Sequence, residues 1–115
     1  MKKKIAILGS TGSIGQSTLD VIKKKKNKFD VIFLSANNNY KKLIEQAKFF
    51  KAKNVLIKNE KFYNKVKFSL KNNNTKVYSG EVSINKIVTK KLDYSMSAIV
   101  GIAGLQPTID IIKIS

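Results

Sequence analysis

The chain has 115 residues, 43% of them hydrophobic, which suits one domain around a single core. It contains no cysteine and no histidine, which excludes disulfides, thiolate or histidine metal centres and a histidine-based triad within this chain. Its net charge of +16 raises a polyanion partner as one reading, yet all 23 basic residues are lysine, and lysine, asparagine and isoleucine together supply 49 of the 115 residues.

The first element in chain order is a short apolar strand, Lys4–Leu8. The basic start does not make a secretory leader, because the patch Ile5–Leu8 is only four residues long and a glycine follows at once. No apolar run is long enough to cross a bilayer. A cytoplasmic protein with no membrane partner is therefore expected. "LGSTGSIGQSTLDVI" (Leu8–Ile22) follows, with glycines at Gly9, Gly12 and Gly15, and opens a helix over Ile14–Lys24 with Ile14, Thr18, Val21 and Ile22 along one side.

The remaining segments alternate between strand and helix. "FDVIFLSA" (Phe29–Ala36) reads as a second strand. Tyr40–Lys51 reads as a helix, with Tyr40, Leu43, Ile44, Ala47 and Phe50 at helical spacing. Asn54–Lys58 is a third strand, and Glu60–Lys71 is a helix with Phe62, Tyr63, Val66 and Leu70 inward. After an asparagine loop come a strand at Lys76–Ser79, a short helix at Val82–Lys90, a strand at Ser97–Val100 and a glycine turn at Gly101–Leu105. Pro107 opens a last helix. This alternation predicts an α/β fold: a Rossmann-like, doubly wound, mainly parallel sheet with helices on both faces. The chain stops inside the apolar segment "IDIIKIS", so an incomplete domain is expected.

Two segments carry candidate chemistry. In the first turn, glycine permits positive φ and close approach of the backbone to a pyrophosphate. Unpaired amides at the helix start present the positive end of the helix dipole. Ser10, Thr11 and Ser13 add hydroxyls that can donate to phosphate or cap the helix. The strand–turn–helix–strand setting points to a dinucleotide; the alternative is a plain tight turn with a capped helix. The loop is not a Walker loop, since no Gly-Lys-Ser/Thr follows.

The second segment is "SANNN" (Ser35–Asn39), at the end of the second strand. An NAD-preferring fold places an acid there for the ribose 2′-hydroxyl. None is present, which leaves NADP admissible. Asn38 and Asn39 can donate amide hydrogens, and Lys41 or Lys42 could supply positive charge; a polar loop swollen by biased composition is the alternative. A third stretch, "SAIVGIAGLQPT" (Ser97–Thr108), would either wall the nicotinamide end of the crevice or be one more turn. Asp20, Glu45, Glu60 and Asp93 fall on separate elements, so no metal-ligand set is expected.

Taken together, "ILGSTGSIGQSTLDVI" (Ile7–Ile22), "FDVIFLSANNN" (Phe29–Asn39), "LIEQAKFF" (Leu43–Phe50) and "AIVGIAGLQPTIDII" (Ala98–Ile112) resemble the 1-deoxy-D-xylulose 5-phosphate reductoisomerases of the non-mevalonate isoprenoid pathway. Aspartate-semialdehyde dehydrogenases share a G-x-x-G-x-x-G opening but lack the "TLDVI" continuation and the "GLxPT" turn. The resemblance implies NADPH as cofactor. It implies contacts to the nucleotide from Thr11, Gly12, Ser13 and Ile14, and a hold on the adenosine ribose and its 2′-phosphate from Asn37, Asn38 and Asn39. Some members carry Gly-Lys-Asn at that triplet; Asn38 here removes a direct lysine–phosphate contact, which Lys41 or Lys42 could replace.

Family members are several times longer than this chain. The resemblance therefore implies that residues 1–115 form an NADPH-binding Rossmann domain, incomplete at its C-terminal end. No catalytic or metal-ligating residue is expected in this chain, and the fragment alone is expected to be inactive. The full-length enzyme would use a divalent metal (Mg, Mn or Co), act on a small phosphorylated sugar and form a homodimer. Two alternatives stand beside this reading: another NADP-dependent Rossmann oxidoreductase, and a basic polyanion-binding module. The lysine-only, composition-driven charge argues against nucleic acid, because the guanidinium forks that grip phosphates bidentately are absent.

Overall fold

A computed structural model describes residues 3–24, 28–82, 87 and 94–97. The strands are β1 (Lys3–Leu8), β2 (Phe29–Ala36), β3 (Asn54–Ile57), β4 (Lys76–Ser79) and β5 (Tyr94–Ser97). The α-helices are α1 (Ser13–Lys24), α2 (Tyr40–Phe50) and α3 (Tyr63–Ser69), the last preceded by a 3₁₀ turn at Glu60–Phe62. The expected helices at Val82–Lys90 and after Pro107, and the turn Gly101–Leu105, lie largely or wholly outside the described residues; within the first of them Ile87 is helical. Of the strand expected at Ser97–Val100, only Ser97 is described, as the last residue of β5.

The described strands form one parallel sheet in the order β4–β3–β2–β1–β5. Sequential strands step outward from β1 to β4, and the chain then crosses back to place β5 on the far side of β1. The winding direction reverses at β1, which makes the carboxyl end of β1 the switch point where an open α/β sheet forms its ligand crevice.

Burial follows from this position. β1 is central, so both of its faces are covered: Ile5 and Ile7 join the core under α1, α2 and α3, while Ala6 joins Phe33 and Ile87 on the opposite face. Right-handed crossovers that run one way along a sheet put their helices on one face, and a crossover that runs back puts its helix on the other. The two clusters show this doubly wound, Rossmann-like arrangement. A register shift between Ile5 and Ala6 leaves Ile32 as an extra residue in β2, opposite no single partner. That bulge turns Phe33 to the second face while Leu34 and Ala36 return to the first.

α1 departs from the expected face. Its buried residues are Gly15, Leu19 and Ile22, whereas Ile14 (46% exposed) and Val21 (57%) face solvent. The glycine explains the rotation. A Cβ at Gly15 would lie 2.5 Å from the Gly9 carbonyl oxygen, so the bare side of the helix packs directly on the preceding turn and carries Leu19 and Ile22 inward with it. α2 buries Leu43, Gln46 and Ala47, with Tyr40, Ile44 and Phe50 packed at the margin. α3 buries Val66, Leu70 is buried directly after its last residue, and the Phe62 ring of the 3₁₀ turn stacks on Tyr40 at 4.5 Å.

Candidate nucleotide site

The turn after β1 is built from its backbone upward. Gly9 takes φ 72°, a conformation costly for a residue with a Cβ. The Gly12 amide donates to the Gly9 carbonyl (3.1 Å), and the Gly12 carbonyl accepts the first helical bond from Gln16 (2.9 Å). The amides of Ser13, Ile14 and Gly15 therefore precede the first intrahelical donor of α1 and carry the positive end of its dipole. Thr11 and Gly12 are half-buried, while Ser13 and Ile14 are exposed at the rim. The Gln16 side chain donates to the Thr11 carbonyl at 2.7 Å and braces the loop from within.

A buried polar knot anchors this turn to the sheet and to α2. The Ser10 amide donates to the Ser35 carbonyl at 2.8 Å, and the Gly9 amide to the Ser35 hydroxyl at 3.0 Å. The Ser10 hydroxyl donates to Gln46 Oε1 at 2.8 Å, and Gln46 Nε2 donates back to the Ser10 carbonyl at 2.9 Å. Ser10 is fully buried and Gln46 is 7% exposed. The expectation that Ser10 offers its hydroxyl to phosphate is thus corrected: the group is spent on Gln46. Ser35 and Gln46 both lie within stretches that carry the family resemblance, but neither is assigned a role there. The available signal for Gln46 was its place on the apolar stripe of α2, between Leu43 and Phe50, where a polar side chain must find a partner.

Asn37, Asn38 and Asn39 follow β2 immediately and are exposed. Asn39 caps α2, its Oδ1 accepting from the Lys42 amide at 3.2 Å. The loop after β3 is zipped to this triplet: the Lys58 amide donates to the Ala36 carbonyl and the Asn59 amide to the Asn37 carbonyl, each at 2.9 Å. Asn59 Nδ2 donates to Asn38 Oδ1 at 2.8 Å. Adjacent parallel strands therefore bring the two candidate segments to one sheet edge, joined through Ser35, with no carboxylate in the triplet.

The lysines named as sources of charge differ in setting. Lys42 is half-buried and lies 3.7 Å from Glu45, beside a groove of about 330 Å³ lined by α1 and α2 residues that include Leu19, Asp20 and Phe49. Lys41 is exposed. Lys58 pairs with Glu81 at 3.2 Å, and Lys65 Nζ stands 5.3 Å from the centre of the Tyr40 ring. Among the described residues no three His, Cys, Asp or Glu side chains group as a metal site, and no helix is long and apolar enough to cross a membrane.

A family model described as 1-deoxy-D-xylulose 5-phosphate reductoisomerase matches residues 5–115. The reductoisomerase of Pelagibacter ubique is 50% identical over 113 residues, which cover 96% of this chain and 29% of that protein. The structure of the Zymomonas mobilis reductoisomerase in complex with NADPH superposes with a TM-score of 0.82 at 35% identity, over 99% of this chain and 30% of that one. A reductoisomerase structure in complex with NADPH, fosmidomycin and magnesium gives 0.77 at 30% identity, over 91% of this chain and 26% of that one. The chain thus spans under a third of the length of these relatives.

Proposed function

The chain belongs to the 1-deoxy-D-xylulose 5-phosphate reductoisomerase family, and from that premise we propose that it is the NADPH-binding portion of such an enzyme. The reaction assigned to the whole enzyme converts 1-deoxy-D-xylulose 5-phosphate to 2-C-methyl-D-erythritol 4-phosphate, by rearrangement and NADPH-dependent reduction, in non-mevalonate isoprenoid synthesis. The observation that carries the reading is the clamped Gly9–Gly15 turn at the switch point, with an acid-free asparagine triplet beside it.

These residues fit the cofactor. The turn offers first-turn amides and a close backbone approach at Thr11, Gly12 and Ser13, suited to a pyrophosphate. Ile14 adds an exposed apolar side chain at the rim. Asn37, Asn38 and Asn39 follow the neighbouring strand, where a dinucleotide places its adenosine ribose. NADPH bound there supplies the hydride. This chain's part is to bind and orient the cofactor at the sheet edge. The substrate pocket and the acidic ligands of a divalent metal, which polarises substrate oxygens, are assigned to other parts of the enzyme. A phosphorylated sugar substrate, a homodimeric assembly and a cytoplasmic setting belong to the same reading. The lysine charge is assigned to a solvated surface rather than to nucleic acid or membrane.

Titration of the full-length protein with NADPH, read by fluorescence or calorimetry, tests the assignment. Saturable binding is expected, and Gly12→Val abolishes it by filling the space the pyrophosphate needs. No NADPH binding by the unmodified protein, or an unchanged affinity in Gly12→Val, defeats this placement.

A further inference from the structure

We propose that Asn59, which follows β3 and belongs to neither candidate segment, sets the preference for NADPH over NADH by fixing which end of the Asn38 amide a ligand meets. The inference rests on the cofactor placement proposed above.

A backbone N–H can only donate. The Lys61 amide lies 3.1 Å from the Asn59 side chain, so the atom there is Oδ1. The other end of the Asn59 amide is therefore Nδ2, which can also only donate. It lies 2.8 Å from the Asn38 side chain, so the atom it meets is Asn38 Oδ1. Two hydrogen bonds in series thus leave Nδ2 as the end of Asn38 that is offered to a ligand. At Asn39 the outcome is the same by a different route: its Oδ1 is engaged by the Lys42 amide as the α2 cap, which again leaves Nδ2 on offer.

Consecutive side chains at the end of β2 are in this way both set as donors. A 2′-phosphate has only acceptor oxygens facing outward, so donors match it and carbonyl oxygens repel it. A ribose 2′-hydroxyl can donate or accept and is indifferent to the setting. The device supplies phosphate selectivity at a triplet with no lysine or arginine. Asn59 suits the task although it is exposed, because it is held at three atoms. Its backbone amide donates to the Asn37 carbonyl, its Oδ1 accepts from Lys61 and its Nδ2 donates to Asn38. Asn59 is a positioning residue, acting on the ligand through Asn38.

The test measures NADPH and NADH dissociation constants side by side in full-length protein. Asn59→Asp keeps an acceptor for the Lys61 amide but presents a carboxylate oxygen to Asn38, whose amide then turns over and shows its carbonyl to the phosphate. The NADPH/NADH preference should fall roughly tenfold or more, the scale of one hydrogen bond to a charged group, with NADH affinity little changed. Asn59→Ala frees the Asn38 amide without adding charge and should lower the preference roughly threefold. Asn38→Lys added to Asn59→Asp should restore it, since an ammonium pairs with the new carboxylate and donates to phosphate regardless of orientation.

An equal loss of both cofactors in Asn59→Asp would mean a merely structural role and overturn the proposal. So would a preference unchanged in Asn59→Ala and lowered only in Asn59→Asp, which would be plain charge repulsion. Failure of the unmodified protein to bind either cofactor would instead strike at the site assignment itself.

Discussion

At the scale of single residues, the site depends on side chains that never touch the proposed ligand. Gln46 is the chief of these. It is buried on α2, yet its amide closes a reciprocal pair with the hydroxyl and carbonyl of Ser10, one residue from the positive-φ Gly9. Replacing one partner leaves the other buried and unsatisfied, at a cost of about 1–3 kcal/mol for such a group. Gln46→Leu should therefore lower the stability of the protein by roughly 2 kcal/mol in urea denaturation. It should also weaken NADPH binding, as the Gly9–Gly12 turn loses its hold on α2. A midpoint equal to that of the unmodified protein would show that the knot is not a determinant of the turn. The glycine motif and the asparagine triplet were legible as strings of residues. Their anchors were not, because Gln46, Ser35 and Asn59 acquire their roles only from partners more than 20 positions away.

At the scale of elements, the alternation of strands and helices was legible throughout the described part, and β2, α2 and β4 have the expected starting positions. Two features were decided by packing. Within β2, Val31, Ile32, Phe33 and Leu34 form an unbroken apolar run, so nothing in the pattern marks Ile32 as the bulge; the mismatch with β1 creates it. α1 carries apolar residues on more than one side, and periodicity alone favoured Ile14 and Val21. The close contact of Gly15 with Gly9 and Ser10 kept the expected Ile22 inward but selected Leu19 in place of Ile14 and Val21. Mutants separate the two faces. Leu19→Ala should cost about 2–5 kcal/mol as a core truncation, and Val21→Ala should stay within about 0.5 kcal/mol as a surface change. Equal losses in thermal or chemical unfolding would contradict the observed rotation of α1.

At the scale of the whole molecule, the charge of +16 rests entirely on lysine, and a lysine ammonium acts as a hydrated point charge rather than a bidentate fork. Such a field favours an anionic cofactor mainly through long-range attraction that salt screens. NADPH affinity should fall as salt rises from about 0.05 to 0.5 M, more steeply than NADH affinity. Equal slopes in a titration series would remove the 2′-phosphate from the account. Composition, hydrophobic periodicity and the glycine spacing by themselves determined the α/β class, the order of elements and the turn after β1, because these are local properties of consecutive residues. The tertiary structure alone decided that β5 returns beside β1, that Gln46 holds Ser10 and that Asn59 orients Asn38. Each of these joins groups far apart in the chain, and only the folded sheet brings a donor within reach of its acceptor.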